Sequence, residues 1–330
     1  MGSVDVGKDL QDLENQLSEH GVKVYNQLFI DQLFNLSPSF ESASTVDFSQ
    51  SGPARDAINT LVSDKTVGKI KEILDEGAIS AATKLVIITI VNFKGVWGEK
   101  FKKRNTRLAP FYLSADEFVN IKMMQQKTDY KYVENSLYQA AALPFGRTDI
   151  EMIVIKPKTN LKSFEQSLRQ QDGYIDFNKI YESMQYNHVD IKIPLMEISL
   201  KYNLNKVLLD HGITDVFNPS LADLSDFTTS ATNPNLCLSE TLHQATLKID
   251  EDGCEASAAT AMSIMLSAGN ISKSKMLYLD QPFVVVLRAQ LSGLVLFVGR
   301  ITEFEGERRE IEELNHTELW VCDVLYYFSG

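Results

Sequence analysis

The segment that most constrains the fold is Leu85-Val86-Ile87-Ile88-Thr89-Ile90-Val91-Asn92-Phe93, which is apolar at odd and even positions alike. Because successive side chains of a strand point to opposite faces of its sheet, both faces of this strand must be covered by other parts of the chain. The segment therefore predicts a central strand inside a layered domain.

The sequence predicts further strands and several short helices before and after this segment, without a regular βαβ alternation and without internal repeats. Such a mixture indicates the α+β class. We predict one domain over residues 8–304 and a C-terminal extension of unknown role over residues 305–330.

Composition and charge exclude several classes of function. Of the 330 residues, 44% are hydrophobic, and the formal net charge is −12, which argues against binding of nucleic acid or of an anionic membrane. The three cysteines form no CxxC pair and the five histidines show no ligand spacing, so we expect no metal. We found no GxSxG, HExxH, GxGxxG or phosphate-loop motif, and we therefore expect no cofactor and no enzymatic activity.

A second constraining stretch runs from Glu251 to Ser267. Composition rich in Ala and Ser favours a helix or a flexible connector, but the stretch also alternates in the manner of a strand. One face carries small residues and then large apolar ones, namely Cys254, Ala256, Ala258, Thr260, Met262, Ile264 and Leu266. A polar, loop-like segment follows at residues 268–275, so this pattern indicates a strand that lies outside its sheet.

Several short motifs occur in an order that is typical of one family. They are Thr66-Val67-Gly68-Lys69-Ile70, Asn92-Phe93-Lys94-Gly95-Val96-Trp97 followed by Phe101, Ile191-Lys192-Ile193-Pro194, Asp215-Val216-Phe217 with Ala222-Asp223-Leu224-Ser225, His243-Gln244-Ala245 before Asp250-Glu251-Asp252-Gly253-Cys254-Glu255-Ala256, Gln281-Pro282-Phe283, and Phe297-Val298-Gly299-Arg300-Ile301. Together they resemble the serpins over nearly all of residues 8–304.

The resemblance implies the serpin fold, with a large mixed central β-sheet, smaller β-sheets, surrounding helices and an exposed reactive-centre loop. It also implies a monomeric inhibitor of serine-type endopeptidases. Such an inhibitor is a suicide substrate: the protease cleaves the loop and is trapped as a covalent acyl-enzyme while the loop inserts into the central sheet. The alternative is a non-inhibitory or truncated serpin-fold binding protein that behaves as a plain protease substrate.

The same resemblance implies the residues of the site. The reactive-site bond is Ser267–Ala268, with Met265 and Leu266 as neighbouring candidates, and these residues suit a chymotrypsin- or elastase-like target. If the longer loop shifts the register, Lys273 or Lys275 would instead suit a trypsin-like enzyme. His243 and Trp97 correspond to the regions where the sheet opens. The hinge of the loop comprises Glu251, Gly253, Cys254, Glu255, Ala256, Ser257, Ala258, Ala259 and Thr260.

Two features of the sequence depart from the family pattern. No counterpart of the first three family helices stands ahead of Lys8, and Leu195 stands where many members have a lysine that pairs with the hinge glutamate.

The resemblance implies an extracellular, secreted protein. Because the first residues lack the apolar core of a signal peptide, a cytoplasmic location is the alternative.

Overall fold

The computed structural model describes residues 22–38, 43–93, 95–114, 116–146, 148–169, 175–229, 235–251 and 274–304. The chain divides into two compact units. The described residues of the first unit fall within Val22–Phe93 and Glu197–Leu247, and those of the second fall within residues 95–196, 248–251 and 274–304. One domain over residues 8–304 with an extension at 305–330 stays a prediction.

The first unit is built on a mixed five-stranded sheet with the strand order β2-β1-β3-β10-β9. β1 pairs with β3 in antiparallel orientation, whereas β10 pairs with β3 in parallel orientation. The strands are β1 (Val22–Asp31), β2 (Ser44–Val46), β3 (Leu85–Phe93), β9 (Met196–Asn203) and β10 (Leu238–Ile249), and the helices are α1 (Ser51–Lys65) and α4 (Asn205–Asp210).

β3 is covered on both faces, as its sequence predicts. Val86, Ile88 and Ile90 are buried in a cluster that includes residues of α1. On the other face, Leu85 is buried with residues of β1 and β10, and Ile87 packs against that cluster. Burying an aliphatic side chain of this size contributes about 1.5–3 kcal/mol, so β3 anchors the sheet between two apolar layers.

The second unit contains an eight-stranded sheet with the order β11-β8-β5-β6-β7-β12-β13, and β4 pairs with β5 beside this path. β5 is 17 residues long and pairs with β4, β8 and β6 at successive positions, so it joins the whole sheet. The strands are β4 (Arg107–Tyr112), β5 (Phe118–Glu134), β6 (Tyr138–Pro144), β7 (Ile150–Pro157), β8 (Gln185–Pro194), β11 (Lys275–Tyr278), β12 (Phe283–Ala289) and β13 (Val295–Ile301), and the helices are α2 (Leu161–Leu168) and α3 (Phe177–Glu182).

Candidate functional site

The predicted loop begins directly after β10. Asp250 and Glu251 are the last described residues before it, and the chain resumes at Ser274 and enters β11 at Lys275. Glu251 is thus the only residue of the predicted hinge that the structure describes. The other hinge residues and the reactive-site candidates lie outside the described residues: Gly253, Cys254, Glu255, Ala256, Ser257, Ala258, Ala259, Thr260, Met265, Leu266, Ser267, Ala268 and the alternative Lys273.

Trp97 holds the chain at the base of this loop. Its indole Nε1 donates a hydrogen bond to the backbone oxygen of Asp250 at 2.7 Å. The ring is 3% exposed, stacks on Phe145 with 4.7 Å between centroids, and meets the edge of Phe101 at 5.4 Å. Two aromatic contacts fix the indole, and an isolated β-bridge to Phe145 fixes the backbone of Trp97. The Nε1 donor is therefore preorganised for its hydrogen bond to Asp250.

Two glycines allow the backbone that carries Trp97 to approach the end of β6. Gly98 N donates to Pro144 O at 2.9 Å, and Gly146 N donates to Val96 O at 2.7 Å. A Cβ at Gly98 would lie 3.1 Å from Pro144 O, and one at Gly146 would lie 3.2 Å from the Gly98 Cα. Both contacts are tighter than usual for a Cβ, so a side chain at either position would require the neighbouring backbone to move by a few tenths of an ångström.

The hinge glutamate has a partner that the sequence did not indicate. Thr106, just before β4, donates its hydroxyl to Glu251 Oε1 at 2.7 Å. Leu195, which stands where many family members have a lysine, instead donates its backbone N–H to Lys122 O at 2.9 Å. The recorded side-chain partner of Glu251 is therefore a neutral hydroxyl, and a hydrogen bond to a carboxylate is stronger than one between two neutral groups.

His243 lies within the first unit, at the centre of the sheet. On β10 it stands opposite Thr89 of β3, in a ladder that runs from Leu238 opposite Leu85 to Leu247 opposite Phe93. Burial lowers the pKa of the His243 imidazole, and a backbone hydrogen bond involving Thr89 opposes this shift. The neutral imidazole is therefore the favoured form at neutral pH, at a position where β10 pairs directly with β3.

The geometry of β3 and β10 restricts what a returning segment could do. Both strands run in the same direction. A segment that turned back after Glu251 would run opposite to β10, and therefore opposite to β3 as well. Such a segment would find antiparallel partners on both sides if the two strands separated.

The described residues contain no group of three His, Cys, Asp or Glu side chains that could hold a metal ion. Within the same residues, no helix is both long enough and apolar enough to cross a membrane.

Comparisons with known proteins identify the class of this chain. Residues 4–304 match the family model described as Serpin (serine protease inhibitor). Leukocyte elastase inhibitor of Xenopus laevis is 33% identical over 316 residues, which cover 90% of this chain and 82% of that protein. Leukocyte elastase inhibitor of Homo sapiens is 30% identical over 324 residues, with 90% and 83% covered. The crystal structure of uncleaved ovalbumin has a TM-score of 0.76 at 26% identity, and covers 91% of this chain and 80% of its own.

The chain belongs to the serpin family. The resemblance carried by the motifs is confirmed, and so is the α+β serpin fold. Family membership and the leukocyte elastase inhibitor relatives support a role as a serine protease inhibitor rather than as an enzyme.

Proposed function

We propose that this protein is a suicide inhibitor that traps its protease as a covalent acyl-enzyme. The catalytic serine Oγ of the protease attacks the carbonyl carbon of Ser267, the Ser267–Ala268 bond breaks, and Ala268 leaves as a free amine that takes up the proton. The hinge residues then enter the sheet between β3 and β10 and carry the attached protease away before water hydrolyses the ester.

One observation carries this proposal: the two central strands are parallel and directly paired, and the loop begins at the end of one of them. Insertion would replace one ladder by two, and each added hydrogen bond contributes about 0.5–1.5 kcal/mol net. Burial of Met262, Ile264 and Leu266 would add roughly 1.5–3 kcal/mol each. The sum is on the order of 10 kcal/mol, enough to drive the rearrangement.

The composition of the hinge suits entry between two paired strands. Cys254, Ala256 and Ala258, which share one face of the returning strand, are all small. A large or charged side chain at the first of these positions would have to be buried without a partner, at a cost of several kcal/mol. Cys254→Arg is therefore expected to convert the inhibitor into a plain substrate.

The target that we propose is an elastase- or chymotrypsin-like protease. Met265, Leu266 and Ser267 offer the apolar and small side chains that such pockets accept, and the similarity to leukocyte elastase inhibitors supports the same class. Of the basic alternatives, Lys275 is paired within β11 opposite Val189, a position less suited to an exposed bait. Lys273 remains the candidate for a trypsin-like enzyme.

The test is to mix the full chain with elastase, chymotrypsin and trypsin in turn, and to look for an SDS-resistant complex by gel electrophoresis. Mass spectrometry of the released C-terminal peptide locates the cleaved bond, with a peptide of residues 268–330 expected. Cys254→Arg is the matched control, since it should be cleaved at the same bond without forming a complex. Cleavage of the unaltered protein without a complex would favour the alternative, a serpin-fold protein that is a plain protease substrate.

Location, oligomeric state and partners other than a protease stay predictions. The comparisons do not support the extracellular, secreted location over the cytoplasmic alternative. A monomer without nucleic-acid or membrane partners is what the sequence predicts.

A further inference from the structure

The second unit exposes a strongly basic segment in an acidic protein. Residues 100–107, here called the basic segment, carry five basic and no acidic side chains, whereas the whole chain has a net charge of −12. The five are exposed: Lys100, Lys102, Lys103, Arg104 and Arg107. A 3-10 turn at Lys103–Asn105 orders them, with Asn105 N donating to Lys102 O at 2.7 Å.

Most of this charge has no acidic partner in the described part of the chain. Among the described residues, no ion pair is recorded for Lys100, Lys102, Arg104 or Arg107. The Arg107 guanidinium donates to a neutral group, the backbone oxygen of Thr106. Like charges held this close repel one another, so an anionic partner would be attracted to the segment.

The chain leaves the described structure close to this surface. The ring of Phe304, the last described residue, meets the ring of Phe111 with 4.8 Å between centroids. Phe111 lies in β4 four residues after Arg107, which corresponds to about 13 Å along a strand. Nine extended residues can span about 30 Å, so the segment that follows Phe304 can reach the basic segment with length to spare.

The segment that follows Phe304 has the complementary charge. Residues 305–313 contain two arginines, Arg308 and Arg309, and five glutamates, Glu305, Glu307, Glu310, Glu312 and Glu313. Five negative and two positive charges give a net charge of −3 for these nine residues. Opposite charges within the same chain meet at a high effective concentration, which favours binding within one molecule over binding between molecules.

We propose that residues 305–313, here called the tail, bind the basic segment of the same molecule. Thr106, whose hydroxyl holds Glu251, lies inside that segment, so the bound tail steadies the anchor of the reactive-centre loop. The contact itself is independent of the function proposed above, whereas its effect on loop insertion rests on that function.

Hydrogen–deuterium exchange of the full chain tests the contact without any protease. The test variant replaces Glu307, Glu310 and Glu312 by glutamine. Amides of residues 102–109 should exchange at least about threefold faster in this variant, the effect of two or three surface ion pairs. The difference in exchange rate between the variant and the unaltered protein should disappear in 1 M salt, where the Debye length is about 3 Å.

A matched control separates this contact from a general effect of charge. Replacing the exposed Glu72, Glu76 and Glu182 by glutamine removes the same total charge elsewhere, and should leave exchange at residues 102–109 unchanged. In a charge swap, Lys102→Glu with Arg104→Glu should abolish the protection, and Glu310→Lys with Glu312→Lys in the same chain should restore it.

Three results would overturn the proposal: equal exchange in the test variant and the unaltered protein, equal acceleration in test and control variants, or failure of the charge swap to restore protection. Protection that grows with protein concentration would mean that the tail binds a second copy, which also contradicts a contact within one molecule. A failure of inhibition with the exchange pattern intact would count against the proposed function alone.

Discussion

Thr106 fixes the hinge glutamate through a single hydroxyl, which makes it the residue through which the loop anchor can be tested. We predict that Thr106→Val lowers the free energy of unfolding of the uncleaved protein by about 1–2 kcal/mol, because the Glu251 carboxylate loses the hydrogen bond that it accepts from the Thr106 hydroxyl. Urea unfolding measures the change. Thr106→Ser keeps the hydroxyl and should retain most of the stability, so an equal loss in both variants would mean that the hydroxyl is not the cause.

Val67 is a β-branched residue in a backbone conformation that such residues rarely adopt. Its φ is 55°, its side chain is 86% exposed, and Gly68 follows with a φ of 74°. We predict that Val67→Gly raises the melting temperature, because it removes strain of about 1–2 kcal/mol and loses little packing. Val67→Ala keeps the Cβ that causes the strain and should gain less. A gain from alanine as large as that from glycine would argue against strain.

At the scale of elements, the pair of β3 and β10 contains a titratable group. The pKa of His243 is lowered by burial from the unfolded value of 6.5, so the folded state binds fewer protons than the unfolded state. The contribution of His243 to the free energy of unfolding should therefore be constant above about pH 6.5 and decrease as the pH falls through that value towards the folded pKa. Chemical unfolding between pH 8 and pH 5 should show this component, and His243→Gln should remove it.

His188→Gln is the control for this measurement. His188 lies on β8 of the second unit, and its Nδ1 is 2.8 Å from Asp129 Oδ1. The acid-dependent component should persist in this variant. If His243→Gln leaves the pH dependence unchanged, the protons that destabilise the fold bind elsewhere.

The sequence predicted those elements whose apolar pattern agrees with their pairing. Prediction failed where contacts between distant segments determine the local structure. The pattern of β3 was sufficient, because both faces are buried in apolar clusters. Between Thr66 and Gly77 the chain forms turns and no helix. Ile70, Ile73 and Leu74 have helical spacing, but Asn59 of α1 binds the backbone of this segment, with its Oδ1 accepting from the N–H groups of Ile73 and Leu74 and its Nδ2 donating to Leu74 O.

The residues of the candidate site likewise include some that the sequence predicts and others that depend on distant contacts. Trp97, His243 and Glu251 were found because they stand in short motifs of the family. Thr106 was missed, because its contact with Glu251 joins residues 145 positions apart and belongs to no local pattern. Phe145 was missed for the same reason, since it stacks on Trp97 from the end of a different strand.

At the scale of the whole molecule, the uncleaved state has its two central strands joined, and the loop that could separate them begins at the end of β10. If the proposed function is correct, this state is less stable than the one with the loop inserted, by an energy on the order of 10 kcal/mol. The cut at Ser267–Ala268 would release the loop, so a single peptide bond controls the stability of the sheet.

We therefore predict that cleavage of the loop raises the melting temperature by roughly 15 °C, since an unfolding entropy of about 2.1 cal/mol/K per residue makes each kcal/mol worth about 1.4 °C in a chain of 330 residues. Calorimetry of intact and loop-cleaved protein measures the difference, and mass spectrometry confirms the site of the cut. Cleaved Cys254→Arg is the control, because its charged side chain should hinder entry of the hinge and leave a much smaller rise. An unchanged melting temperature in the cleaved, unaltered protein would mean that the loop does not insert, and inhibition by trapping would then have no driving force.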